Sequence, residues 1–223
     1  EYSEANSADL DDRIPPGAPW LAMEYVQGGT LHNLTGRLHW AAVERVACSL
    51  LEALAHAHAR GVIHRDLEPA KVLISWQDEL PFAKLTDFGL AHAAEDAGFT
   101  DDEHFFGGTP SYMAPEQFHG RWRDFGPWTD LYGLGCLLWA LVSGEPPYGT
   151  KGTYEEKAWS HSCAVIPKLQ PAIKVPAGLE EWLGRLLAKD ASDRYRRASD
   201  ALFGLGQLGD VEQERVFLPA GPI

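Results

Sequence analysis

Within ten residues, His64-Arg65-Asp66-Leu67-Glu68-Pro69-Ala70-Lys71-Val72-Leu73 gathers an imidazole, a guanidinium, two carboxylates and an ammonium. A second short motif, Asp87-Phe88-Gly89, follows an apolar run, and Ala114-Pro115-Glu116 lies beyond a long irregular stretch. Any one tripeptide recurs by chance and says little. Three of them in this order and at these intervals form a strong signal. Carboxylates are what phosphoryl transfer asks of side chains, one beside the acceptor hydroxyl and others among the hard oxygens around a divalent cation. That reaction is mostly positioning and charge neutralisation. The ammonium of Lys71 differs in kind, because it donates hydrogen bonds and cannot ligate a metal.

The elements that must hold these residues are legible from periodicity. Trp20 to Val26 reads as a buried strand ended by Gly28-Gly29, with a short helix around Thr30 to Leu34. From Trp40 to Arg60, Val43, Val46, Ala47, Leu50, Leu51 and Leu54 recur at three and four, the pattern of a long helix stopped by Gly61. Val72 to Ile74 and Ala83 to Thr86 read as two short strands around a turn at Trp76 to Pro81. Asp130 to Ser143 is a second long apolar helix closed by Gly144, and further helices are expected over Tyr154 to Ser160, Leu179 to Ala188 and Ala198 to Leu208. The eight Trp residues read as core and cleft aromatics.

In its motifs the chain resembles bacterial-type (Hanks-type) serine/threonine protein kinases, from Trp20 to about Leu208. The segment from Met23 to Leu31 is similar to that family's hinge, and Gly108 to Glu116 to its substrate-docking segment. Thr129 to Cys136 is similar to its central buried helix, and Asp193-Arg194-Tyr195 carries its late arginine. The resemblance implies ATP and Mg²⁺ as cofactors and a protein Ser or Thr as acceptor. It makes Asp66 the base, Asp87 the metal ligand and Thr109 a hydrogen-bonding neighbour of the base. The adenine would meet the Glu24 carbonyl and the Val26 N–H, with Met23 as gatekeeper and Leu73 beneath the ring. Asp130 would brace the catalytic loop, Glu116 and Arg194 would form a buried ion pair, and His64 would stack on Phe88.

Two positions depart from the family. Glu68 stands where a lysine usually faces the transferred phosphate, and Lys71 stands where an Asn usually holds metal. Removing one such electrostatic contact costs about 2.7–4 kcal/mol in other enzymes, and inverting its sign should cost more. Lys71 has three candidate partners by charge: Asp66, Asp87 and Glu68. The family's Gly-rich loop and strand lysine lie upstream of the hinge, and this sequence starts just before it. The expected fold is therefore a protein kinase-like C-terminal lobe, mainly α with a few short strands at the cleft and the N-terminal β lobe missing. That lobe would be lost, encoded elsewhere, or placed before the first residue given.

The expected organisation is a polar linker at 1–19, the lobe at 20–208 and a tail at 209–223. Ala94 to Phe106 would be the activation loop, with Thr100 its single hydroxyl residue and Asp101, Asp102 and Glu103 positioned to pair with Arg65. The expected function is a truncated, catalytically impaired, pseudokinase-like member of the family. The alternatives are a slow but active kinase completed by an upstream lobe, or an interaction scaffold. A net charge of −13 argues against nucleic acid as a partner, because phosphate contacts need clustered Lys and Arg. A protein substrate or partner at the open cleft face is expected. No apolar run approaches the roughly 18–20 residues of a membrane span. Cys48, Cys136 and Cys163 form neither a disulfide framework nor a metal pattern, so a cytoplasmic location is expected.

Overall fold

A computed structural model describes residues 2–4, 19–77, 80–88, 108–120, 122–209 and 211. The activation loop expected at 94–106, with Thr100, lies outside the described residues, as do Gly89 and most of the segments 1–19 and 209–223. The core is helical. Helix α1 (Trp40–His58) buries the stripe Val43, Val46, Ala47, Leu50, Leu51 and Leu54, which is the face its spacing predicts. The buried face packs against a hairpin, β3 (Val72–Gln77) with β4 (Leu80–Leu85), and against two later helices. Those are α3 (Pro127–Ser143) and α6 (Ala198–Leu205).

Every residue of α3 from Thr129 to Val142 is buried. A helix apolar on all sides has to lie inside the molecule, and α3 forms the centre on which α1 and α5 (Leu179–Leu186) pack. Its start lies three residues before the expected Asp130, because Pro127 suits a first helical turn, where no N–H partner is needed. Gly133 matters for the site. A Cβ there would stand 3.2 Å from the Leu67 Cβ, so its absence lets the charged loop lie directly against the central helix. Two shorter helices, α2 (Pro115–Phe118) and α4 (Tyr154–Ser162), meet beside this core. Among the described residues, no helix is long and apolar enough to cross a membrane.

Three expectations need correction. The strand expected over Trp20 to Val26 is confined to β2 (Pro19–Leu21), which pairs antiparallel with β1 (Tyr2–Glu4) inside the segment read as linker. A strand needs a ladder partner, and residues 22–26 have none among the described residues; Met23 is 55% and Tyr25 84% exposed. Trp139 and Trp182 are core residues as expected, but Trp76, Trp122 and Trp159 are 44%, 66% and 63% exposed. Aromatic content alone does not say which rings find a pocket. The helices expected to end at Arg60, Ala188 and Leu208 stop at His58, Leu186 and Leu205.

After residue 26 the chain is drawn back onto the hairpin. Thr30 bridges Leu73, and the Ile74 N–H donates to the Gly29 carbonyl at 2.9 Å. A Cβ at Gly28 would overlap the Ile74 carbonyl oxygen, so this approach requires glycine. Gly28→Ala is expected to cost about 1–3 kcal/mol by overpacking. For a domain of this size that is a fall in melting temperature of roughly 2–12 °C, read by scanning calorimetry. A variant melting with the wild type would show that the contact gives way freely.

Candidate functional site

The charged loop is shaped by one buried carboxylate. Asp130, 2% exposed in the first turn of α3, accepts the His64 N–H at 2.9 Å and the Arg65 N–H at 2.8 Å. The imidazole of His58, at the end of α1, meets the same carboxylate at 2.7 Å. Arg65 holds φ at +70°, in the left-handed region that side chains avoid. Its N–H is fixed by Asp130 and its carbonyl accepts from the Gln117 side chain at 2.7 Å, so the strained turn is held from both ends. The brace expected of Asp130 is present. Gln117 and His58 were not singled out in the sequence. Gln117 sits in the α2 first turn, where it also accepts the Ala114 N–H at 2.9 Å, but nothing local announces its reach to Arg65.

The turn in Arg65 aims Asp66 at the mouth of the loop. Its carboxylate accepts the Thr109 backbone N–H at 3.2 Å, and its own N–H lies 3.3 Å from His64 Nδ1. Thr109 thus stands beside Asp66, through its main chain. Glu68 caps a short turn, Pro69–Lys71, and accepts the Lys71 N–H at 3.1 Å through its carbonyl. Pro69 at the first position pre-sets that turn.

The hairpin register then decides where Lys71 points. Val72 pairs with Leu85, and one step outward the Thr86 N–H donates to the Lys71 carbonyl at 3.0 Å. Residue 87 therefore arrives beside residue 71. Asp87 holds φ at +64°, and its Oδ2 accepts from Lys71 Nζ at 2.9 Å, while its Oδ1 accepts from Thr86 Oγ1 at 3.1 Å. Of the three partners open to Lys71, Asp87 is the one engaged. The hydrogen bond to Asp87 raises the Lys71 pKa above its ordinary value despite burial, and the Asp66 and Glu68 carboxylates add to the rise. Burial pushes the Asp87 carboxyl up, but the Lys71 and Thr86 hydrogen bonds outweigh it and hold the group below its usual range. Both shifts favour the ionised pair.

Phe88 follows Asp87 and stands edge-on to His64 at 4.8 Å, with His64 Nε2 2.8 Å from the Thr86 carbonyl oxygen. The expected His64–Phe88 contact is present and ties the loop to the end of β4. Toward the hinge-like segment, Leu73 and Val26 are half-buried, whereas Met23 and Glu24 are exposed. The Glu24 carboxylate takes the Lys84 ammonium at 2.6 and 2.7 Å, an exposed pair of little energetic weight.

A second buried pair underlies the site. Arg194, 1% exposed, makes a bidentate contact to Glu116 at 2.8 and 3.0 Å. Its remaining donors reach the carbonyls of Ala188 at 2.7 Å, Trp128 at 3.2 Å and Lys189 at 3.1 Å. Thr129 Oγ1 donates to the same Glu116 oxygen at 2.9 Å. The planar guanidinium has all five donors occupied, a geometry that only Arg supplies.

Comparison with known proteins shows what the chain is similar to. The family described as "Protein kinase domain" matches residues 15–202. The chain is 34% identical to a probable serine/threonine-protein kinase PknB of Bifidobacterium longum over 189 residues, 82% of this chain and 26% of that protein. It is 33% identical over 218 residues to serine/threonine-protein kinase pkn3 of Myxococcus xanthus, covering 92% of this chain and 38% of that protein. Serine/threonine-protein kinase PkaA of Streptomyces coelicolor is 39% identical over 177 residues, 78% of this chain and 31% of PkaA. The chain thus spans well under half the length of these curated relatives.

Proposed function

The chain belongs to the protein kinase domain family, and we propose that residues 20–208 form the C-terminal lobe of a Ser/Thr phosphoryl-transfer site whose catalysis is impaired by charge exchange in its loop. The observation that carries this reading is the Lys71–Asp87 ion pair at 2.9 Å. Protein kinases use ATP and Mg²⁺ and act on protein substrates. The residues here suit the nucleotide and acceptor better than the metal. The Glu24 carbonyl and Val26 N–H would take the adenine edge, Met23 would stand behind it and Leu73 would pack beneath it. Asp66, positioned by Thr109 and the Arg65 turn, would accept the proton of a Ser or Thr hydroxyl.

Mg²⁺ does not fit these donors. It needs several hard oxygens in octahedral geometry, yet position 71 supplies an ammonium, which cannot ligate a metal and which lies 2.9 Å from Asp87 Oδ2. Glu68 adds negative charge where charge develops in the transition state, which should cost at least about a hundredfold in rate.

A radiolabelled-ATP assay on the full-length protein that carries this chain tests the reading, with Asp66→Asn as control. Transfer is expected at least about a hundredfold below the roughly 1–100 per second of ordinary kinases, with any residue of it lost in the control. Transfer at an ordinary kinase rate that depends on Asp66 would refute the impairment.

A further inference from the structure

We propose that Lys71 is a built-in replacement for the divalent cation at Asp87, so that this site takes a nucleotide polyphosphate as the metal-free anion. The proposal rests on reading the Asp66–Asp87 pocket as a phosphoryl-transfer site. Three observations converge on it. The hairpin register and the positive φ of Asp87 bring the Lys71 ammonium to the carboxylate that a metal would need. Lys71 is anchored at its main chain on both sides, by Glu68 through its N–H and by Thr86 through its carbonyl, so the ammonium sits on a fixed base. Both side chains of the pair are 29% exposed, which leaves them within reach of a ligand.

The charges follow the same logic. An ammonium has three N–H donors, and among the described residues Asp87 is its one hydrogen-bond acceptor. Among the described residues, that leaves two donors to meet phosphate oxygens while the third holds Asp87. A divalent ion entering the same place would meet a like charge within contact distance of its ligand. Lys71 thus serves as counter-charge to a polyphosphate, and it blocks the ion that usually does so.

Two measurements on the full-length protein test this, in wild type, Asp87→Asn, Lys71→Asn, and Lys71→Asn combined with Asp87→Asn. ATP binding by calorimetry in wild type is expected to differ by less than about twofold between Mg²⁺ and a chelator, whereas Mg²⁺ should strengthen it about tenfold or more in Lys71→Asn. Paramagnetic resonance with Mn²⁺ should find an added bound ion in Lys71→Asn that disappears in the double variant. A tenfold Mg²⁺ dependence in wild type, or a wild-type Mn²⁺ site lost on Asp87→Asn, overturns the proposal. So does a Lys71→Asn variant that melts like wild type yet gains no Mn²⁺. Should Lys71→Asn fail to fold, the wild-type arms decide alone. If ATP binds neither form, Mn²⁺ still decides the role of Lys71, and it is the phosphoryl-transfer reading that fails.

Discussion

Replacing Arg194 with Met should lower the unfolding free energy by about 3–5 kcal/mol, because it strands a buried carboxylate without its partner. Glu116 would keep Thr129 Oγ1 at 2.9 Å but lose both guanidinium contacts, while three backbone carbonyls lose their donors. In a domain of this size the loss corresponds to a fall in melting temperature of roughly 6–20 °C. Arg194→Lys should recover only part of it, since a point charge cannot satisfy a bidentate carboxylate and three carbonyls together. Calorimetry on the two variants is the check. A melting point for Arg194→Met within about 2 °C of wild type would mean that the pair carries little of the fold. The site would suffer with the fold, because Glu116 lies in the first turn of α2, whose Gln117 holds the Arg65 carbonyl.

The second large effect is on rate. Glu68→Lys combined with Lys71→Asn should raise Asp66-dependent phosphoryl transfer by about 10²–10³-fold, the scale of one restored electrostatic contact. On the proposed reading, the first change would remove a carboxylate from beside the developing charge and supply a cation. The second frees Asp87 Oδ2 from the ammonium and places an amide oxygen at position 71. The two should not add simply, because Glu68 itself contributes to the field on Lys71. Glu68→Lys alone brings a second ammonium toward Lys71 and should gain much less than the pair. A folded double variant with the wild-type rate would show that the charge exchange is not what limits this site. Initial rates with radiolabelled ATP, alongside Asp66→Asn, settle the matter.

Much of the fold was legible because its signals are local. The stripe from Val43 to Leu54 and the continuous apolar run of α3 required helices that bury those residues, and they do. The ends were less legible. A strand over Trp20 to Val26 depends on a neighbour to pair with, and only Pro19–Leu21 finds one among the described residues. Trp122 and Trp159 illustrate the same limit, since hydrophobic type does not reveal whether a pocket waits for it.

The motif residues and their order determined, by themselves, the family and the position of its altered charges. Asp66, Asp87, Glu68 and Lys71 are short-range facts of spacing and type. Which partner Lys71 takes was decided by tertiary structure alone. Asp66, Glu68 and Asp87 carry the same charge and compete equally in the sequence. The pairing of Val72 with Leu85 and the left-handed turn at Asp87 bring one of them to 2.9 Å. The same holds for His58 on Asp130 and Gln117 on Arg65, partners 72 and 52 residues apart. Charge and type travel with the residue, but a contact depends on backbone register and on helices meeting across the core, and no local pattern encodes those.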